Sequence, residues 1–291
     1  MEIMINENFH HLIITRFNLR NNSWDNFTKS KKRILTDSWL EDRFELFENF
    51  CFPSVMNQTK QNFDWWVFFD TQTPKEFRDK IHLLEKKFEK FLPIYIDGMD
   101  FCLPTIQEKL SFTKTPYIIT SRLDNDDCLH YDYVNQVQSH FDFQNFLALD
   151  FVNGFSIQIQ PNTKLGYRYH LYNPFLSLIE SNKNPKSVWI NSHSEWKKEL
   201  NIKRIKDGRF WMSIIHQENK VNEYHGFGTP NFQQTLKFFG IDRRIISDLE
   251  LELTYSKFES SFNYFYSVYI SVTKDFKRII GVYKIKKLLK N

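Results

Sequence analysis

Four short apolar runs recur through the first 124 residues, each followed by a polar loop and a segment of helical period. They read HLIITRFN (His11 to Asn18), FDWWVFFD (Phe63 to Asp70), LPIYID (Leu92 to Asp97) and PYIITSRLD (Pro116 to Asp124). Runs of this length, rich in β-branched and aromatic residues, read as strands. Between them Leu40, Phe44, Phe47 and Cys51 recur at helical spacing behind Asp37 as an N-cap. Phe77, Ile81, Leu84 and Phe88 do the same behind Thr73 and Pro74, and Pro104 starts a further short helix. Strand and helix in alternation specify an α/β fold with a mixed, mostly parallel sheet flanked by helices.

After Asp124 the pattern is less regular. FLALDFVNGFSIQ and LGYRYHLY look like antiparallel pieces, NPFLSLIES like a short helix, and RFWMSIIH (Arg209 to His216) like another strand. The remainder, Asn231 to Asn291, reads as a helical tail or lid. The chain is therefore divided into a first domain, 1–230, and a C-terminal helical or irregular extension, 231–291, that packs on the core or on a membrane surface.

With 41% hydrophobic residues and 30 Phe, a chain of 291 residues has ample material for a packed core. The net charge of +4 is too small for a general nucleic-acid binder with a dominant basic face. One local patch stands out, KDFKRIIGVYKIKKLLK (Lys274 to Lys290). Its basic amphipathic pattern suits either an anionic membrane surface or packing on the domain. No apolar run reaches the length of a membrane span, and MEIMINENFHHLIITRFN has neither the basic start nor the long apolar core of a signal peptide. A cytoplasmic protein is expected, with the basic segment as its contact to the inner face of the membrane. Cys51, Cys102 and Cys128 fit neither a disulfide framework nor a CxxC metal site and read as reduced thiols.

The fourth apolar run ends in SRLDNDDCLHYDY (Ser121 to Tyr133). Three carboxylates within four residues repel one another where a buried strand surfaces. Asp70 also falls at the carboxyl end of a strand, the place where open α/β sheets bind ligands. Carboxylate oxygens are hard ligands, so the charge that offsets the cluster is expected to be Mn2+ or Mg2+, bound together with a substrate diphosphate. The plain alternative is a solvated acidic turn capping the helix of HYDYVNQVQSHF.

Other residues fit around that expectation. Thr15 and Arg16 end the first strand and are placed to meet a base or a diphosphate, while Arg43 offers a two-pronged fork to phosphate or a structural salt bridge. Asp70 is expected at the nucleoside, Arg122 at the diphosphate or as the cluster's own counter-charge, and Asp127 among the donor-binding residues. His193 and His225 are further polar candidates, and Gly226-Phe227-Gly228 is either a loop that closes over substrate or a turn.

In this order the motifs resemble one family. TRFN, DRFELFENFCFPSVMNQT, WWVFFDTQTP, RLDNDD, NPFLSLIE and FWMSIIHQEN, spread from Thr15 to Asn219, are similar to the rhamnosyltransferase family of GT-A-fold polysaccharide glycosyltransferases. That resemblance implies a nucleotide-diphosphate-sugar donor across the strand ends, with the aspartates and a divalent metal on the diphosphate. Asp124 would lie near ribose or metal, Asp126 would be the direct metal ligand, and His216, ending WMSIIH, a further metal or diphosphate contact. It implies a glycan or lipid-linked glycan acceptor and a role in surface polysaccharide synthesis, with rhamnose, galactofuranose or a similar sugar transferred.

Breaking the anomeric C–O bond leaves oxocarbenium character on the sugar and charge on the departing diphosphate, which a metal stabilises as it develops. An inverting reaction also needs a base for the acceptor hydroxyl, and Glu180 in SLIES and Asp150 in LALDF are the candidates. Two other classes use acidic clusters: metal-dependent nucleases or phosphoesterases, which would bring more carboxylates and a basic channel, and non-catalytic carbohydrate-binding modules with calcium in an acidic turn.

Overall fold

In the computed structural model, which describes residues 8–21, 33–219 and 222–283, the four apolar runs are the strands β1 (Phe9–Arg16), β2 (Asp64–Asp70), β3 (Phe91–Ile96) and β4 (Tyr117–Arg122). They pair in parallel in the order β4-β1-β2-β3. The helices that return the chain are α1 (Asp37–Leu46), continuing through a π-helical turn (Phe47–Cys51) into α2 (Phe52–Met56), then α3 (Lys75–Lys87) and α4 (Cys102–Ser111). Thr36, one residue before the anticipated cap, closes the first of them: its hydroxyl accepts from the Trp39 N–H at 3.3 Å.

Alternation along the strands separates two cores. Ile13, Val67 and Phe69 face the cluster under α1 to α3, whereas Leu12, Ile14 and Phe68 face Cys102, Ile106 and Leu110 of α4. Burial on both faces is why these strands read as continuous apolar runs.

Beyond β4 lie β5 (Cys128–Leu129), α5 (Tyr133–Gln138), β6 (Phe146–Phe151), β7 (Asn153–Gln158), β8 (Lys164–Tyr169), β9 (Ser177–Ser181), β10 (Ile202–Ile205) and β11 (Trp211–Ile215). The segment NPFLSLIES, expected as a helix, is strand β9, inserted antiparallel between β4 and β6. Leu178 and Ile179 are fully buried in different cores, one on each side of the sheet, which a strand achieves and a short surface helix does not. Strand β10 is short, its burial is partial, and nothing in its composition marks it; it pairs in parallel with β6 and ends the sheet. The seven-stranded order is β10-β6-β9-β4-β1-β2-β3, the mixed and mostly parallel sheet of a GT-A fold.

A second sheet, β5-β11-β7-β8, stands beside the first. Helices α6 (Phe232–Phe238) and α7 (Arg243–Leu251) bury Phe232, Leu236 and Ile246 with Phe155, Ile157, Met212 and Ile214 of this sheet. Their apolar side chains therefore belong to the core. The long α8 (Lys257–Ile279) follows. The basic segment beyond Tyr283 lies outside the described residues. Among the described residues no helix is long and apolar enough to cross a membrane. All three cysteines are free and buried.

Candidate functional site

The chain leaving β1 runs to β2 on one side and the chain leaving β4 runs on toward β6 on the other, so the two connections diverge and open a crevice at the carboxyl ends of β1 and β4. Arg16 ends β1 there and Arg122 ends β4, with Leu123 to Asp127 turning into β5. A cavity of about 260 Å3 occupies the crevice, walled by Arg16, Asn18, Trp39, Arg43, Asp124, Asn125, Asp126, Glu218 and Asn219 among others.

The acidic turn carries its own counter-charges. Asp126 Oδ2 accepts from Arg43 Nη1 at 2.7 Å, lies 3.1 Å from His216 Nε2 and accepts from Asn219 Nδ2 at 3.3 Å. Burial alone would raise the Asp126 carboxyl, but the Arg43 charge and the His216 hydrogen bond outweigh it and hold the group below the usual carboxylate range. Asn125, between the two aspartates, donates to the Phe17 carbonyl at 2.8 Å and accepts from Arg43 at 3.3 Å, tying β4's end to the loop after β1. Asp124 is more open and meets Arg122 Nη2 at 3.4 Å.

Beside Asp124 two arginines share one aromatic ring. The guanidinium carbons of Arg16 and Arg122 each lie 4.1 Å from the Trp189 ring centroid. Burial and then the neighbouring Arg122 charge lower Arg16 to about 10. Arg122 Nε is buried without a hydrogen-bond partner among the described residues. His193 is close by, lowered to about 4 by burial first and then by Arg122. Like charges packed this closely lower their energy by taking up an anion.

Arg16, Arg43, Arg122, Asp124, Asp126 and His216 are thus brought together as the sequence suggests. Others are not. Thr15 is fully buried on the opposite side of β1 from Arg16, where its hydroxyl accepts from the Trp65 indole N–H at 2.9 Å. Asp70 binds Arg20 Nε at 2.9 and 3.0 Å and the backbone N–H groups of Arg20 and Gln72, so it secures the loop behind the cavity rather than facing it. Asp127 turns toward the second sheet and accepts from the Ile214 N–H at 3.0 Å. Burial, then Asp126 and Asp124, raise its carboxyl well above the usual range.

Both candidate bases are engaged elsewhere. Glu180 pairs in register with Ile118, near the amino end of β4 and away from the crevice, and its oxygens accept from the Lys186 and Ser187 N–H groups at 2.8 Å each. Asp150 is fully buried, with its oxygens on Tyr172 N–H (2.8 Å) and Asn173 Nδ2 (2.9 Å), and burial pushes it up to about 6. His225 stacks on Tyr266 of α8. The Gly226-Phe227-Gly228 loop is pinned, since Phe227 exchanges backbone hydrogen bonds with Tyr167 and Gly228 N–H donates to Ser260 Oγ.

Trp189, Asn219 and Glu218 are site residues that sequence reasoning missed. Asn219 and Glu218 stand just after His216 in HQEN, within a motif already singled out; Trp189 carries no such signal.

For a hard divalent ion the donor set is minimal. Among the described residues no three His, Cys, Asp or Glu side chains converge as a ready-made shell. Mg2+ and Mn2+ need only one or two carboxylates when phosphate and water supply the rest, and Asp124 and Asp126 both wall the cavity. The two aspartates fit such an ion; His216 is already engaged with Asp126 and Asn219.

The mixed, mostly parallel sheet with a crevice at its strand ends is the architecture expected of a GT-A-type α/β protein. Residues 9–226, most of the chain, match the family model described as "Putative rhamnosyl transferase", and the chain belongs to that family. No curated protein matches the chain. Among solved structures it is similar to S. aureus TarS 1-349, with 10% identity over 71% of this chain and 60% of that one and a TM-score of 0.41. The complex of the same protein with UDP-GlcNAc gives 10% identity, 86% and 69% coverage and a TM-score of 0.41. A "putative nucleotide-diphospho-sugar transferase" from Desulfovibrio desulfuricans G20 gives 10%, 73%, 83% and 0.36. The chain thus spans about 60% of the length of the first of these proteins. These likenesses are loose, and the family assignment rests on the sequence match.

Proposed function

We propose that this protein transfers a sugar, rhamnose, galactofuranose or a similar one, from a nucleotide-diphosphate donor to a glycan or lipid-linked glycan acceptor in surface polysaccharide synthesis. The observation that carries the reading is the pair of arginines, half-buried Arg16 and buried Arg122, on Trp189 beside Asp124 at the strand-end crevice. A diphosphate is the anion that suits them: it neutralises the like charges and gains planar, two-pronged hydrogen bonding. A nuclease reading is disfavoured by the counter-charged, compact acidic turn and the small net charge.

In the reaction Arg16 and Arg122 hold the diphosphate, and as the anomeric bond breaks their charges stabilise the departing nucleotide. Arg43 and His216 keep Asp126 ionised at the cavity wall. Asp124 and Asp126 would hold Mn2+ or Mg2+, which when bound would add electrostatic stabilisation of the leaving group. Glu218 is the remaining acidic side chain of the described wall, and it takes the role of accepting the acceptor's hydroxyl proton. Work at the inner face of the membrane, reached through the basic C-terminal segment, fits a lipid-linked acceptor.

The test is a thermal-shift panel. UDP, GDP and TDP are each added with and without Mn2+ or Mg2+, because a ligand that binds the native state raises its apparent stability. At least one nucleotide should raise Tm only when the metal is present. No shift with any of them contradicts the reading.

A further inference from the structure

Helix α8 is docked the wrong way round for a helix in water. Its buried residues are polar, Asn263, Ser267 and Ser271, one per turn. Asn263 donates to the Gly226 carbonyl at 3.0 Å and Lys274 to the Leu171 carbonyl at 2.8 Å. On the outward side Phe258, Phe262, Phe265, Tyr269, Phe276 and Ile279 are each 60% exposed or more. With large side chains at 150 to 250 Å2 each, that face leaves on the order of 1000 Å2 of apolar surface bare. Soluble monomers expose contiguous patches of only a few hundred Å2.

Two kinds of occupant suit a bare helical face, a partner helix or a lipid surface. The spacing of the six residues, alternating fours and threes with Val272 completing the row, is that of a coiled-coil seam. The apolar face is wider than a seam, however. Tyr264 and Val268 on one side and Tyr266 on the other are also 40% exposed or more. Such width is that of a helix lying in a membrane interface, and tyrosines at its borders suit the headgroup level.

Charge decides between the two. The carboxylates of α8 are Glu259 and Asp275, and both are neutralised inward, by Lys164 and Arg204. Lys257 and Lys277 are left exposed, and from Phe276 to Asn291 the sequence holds six Lys or Arg and no acidic residue. We infer that α8 docks this protein, aromatic face down, on an anionic lipid bilayer. The inference rests on the proposed transfer reaction for its meaning: a chain held on lipid by α8 works where a lipid-linked acceptor is presented. The acceptor class that follows is a lipid-linked glycan.

The full chain is sedimented with vesicles of phosphatidylcholine alone and of phosphatidylcholine mixed with phosphatidylglycerol, and its mass in solution is measured by analytical ultracentrifugation. The expected result is a monomer that partitions onto the anionic vesicles. The double variant Phe262→Asp/Phe276→Asp, changed only at exposed positions, should lose about tenfold or more in partition while keeping its Tm. A Phe265→Trp variant should have its added emission quenched by brominated lipid. Failure to bind anionic vesicles, unchanged binding by the double variant, or a dimer that the same substitutions dissolve overturns the inference, the last by assigning the face to a second copy. Nucleotide-sugar hydrolysis without vesicles separates the two readings. If it persists while docking fails, only the docking falls; if docking is seen without it, only the transfer reaction falls.

Discussion

Arg43 Nη1 lies 2.7 Å from Asp126 Oδ2, and both side chains are about nine-tenths buried. The pair supplies from within the protein part of the positive charge that the acidic turn requires. Removing one partner of a buried pair leaves the other charge unsatisfied, at a cost of about 3 kcal/mol or more. Arg43→Ala is therefore expected to lower stability by about that amount in urea titration. Arg43→Lys, which retains charge without the fork, should lose less.

Trp189 carries the two arginines, Arg16 and Arg122. Trp189→Ala is expected to raise the nucleotide-sugar KM about tenfold through displaced guanidinium groups, with a smaller effect from Trp189→Phe, which keeps an aromatic face. Steady-state kinetics on the two variants check this. Equal KM values for Trp189→Ala and the wild type would remove the ring from the binding site.

For proton transfer the expectation separates two carboxylates. Glu218→Gln should lower kcat about a hundredfold or more with KM little changed, because it removes a proton acceptor and leaves donor contacts in place. Glu180→Gln should leave kcat within about twofold at temperatures where it stays folded, since its oxygens serve the Lys186 and Ser187 N–H groups far from the crevice. The reverse ranking would return Glu180 to the role first expected of it.

His11 gives the clearest dependence of stability on pH. It is buried against Ser121 Oγ at 2.8 Å, and burial, then His10, lower it from 6.5 to about 3. As pH falls below 6.5 the unfolded chain takes up a proton that the native state refuses, so stability declines from there down toward pH 3, by up to about 1.4 kcal/mol per pH unit. Urea midpoints at pH 7, 5.5 and 4.5 should fall in that order, and a His11→Asn variant should show a shallower slope. An identical slope in the variant would assign the acid sensitivity to other groups.

The parallel half of the sheet was legible because β1, β2 and β4 are almost wholly buried and read as apolar runs, and because helices return the chain after β1, β2 and β3. Strand β9 was not, since a short apolar stretch such as Leu178-Ile179 is compatible with either structure until its neighbours β4 and β6 are known. In the site, the acidic turn announced itself by charge. Arg122 could be read as its counter-charge from two residues away, whereas nothing in the sequence pairs Arg43 and His216 with Asp126 across 83 and 90 residues. Thr15 and Asp70 were assigned to ligand contact from their strand-end positions alone, whereas side-chain direction and the needs of the loop after β1 turned them to Trp65 and Arg20. Glu180 and Asp150 were chosen by residue type, and burial with backbone hydrogen bonds claimed both.

The most direct measurement is turnover of a panel of nucleotide sugars by the wild type and by Asp124→Ala and Asp126→Ala, each confirmed folded by its melting curve. The predicted result is metal-stimulated release of nucleotide from at least one donor by the wild type, reduced about a hundredfold or more in both variants. Full turnover by the folded Asp126→Ala protein would contradict the placement of the donor diphosphate at this turn.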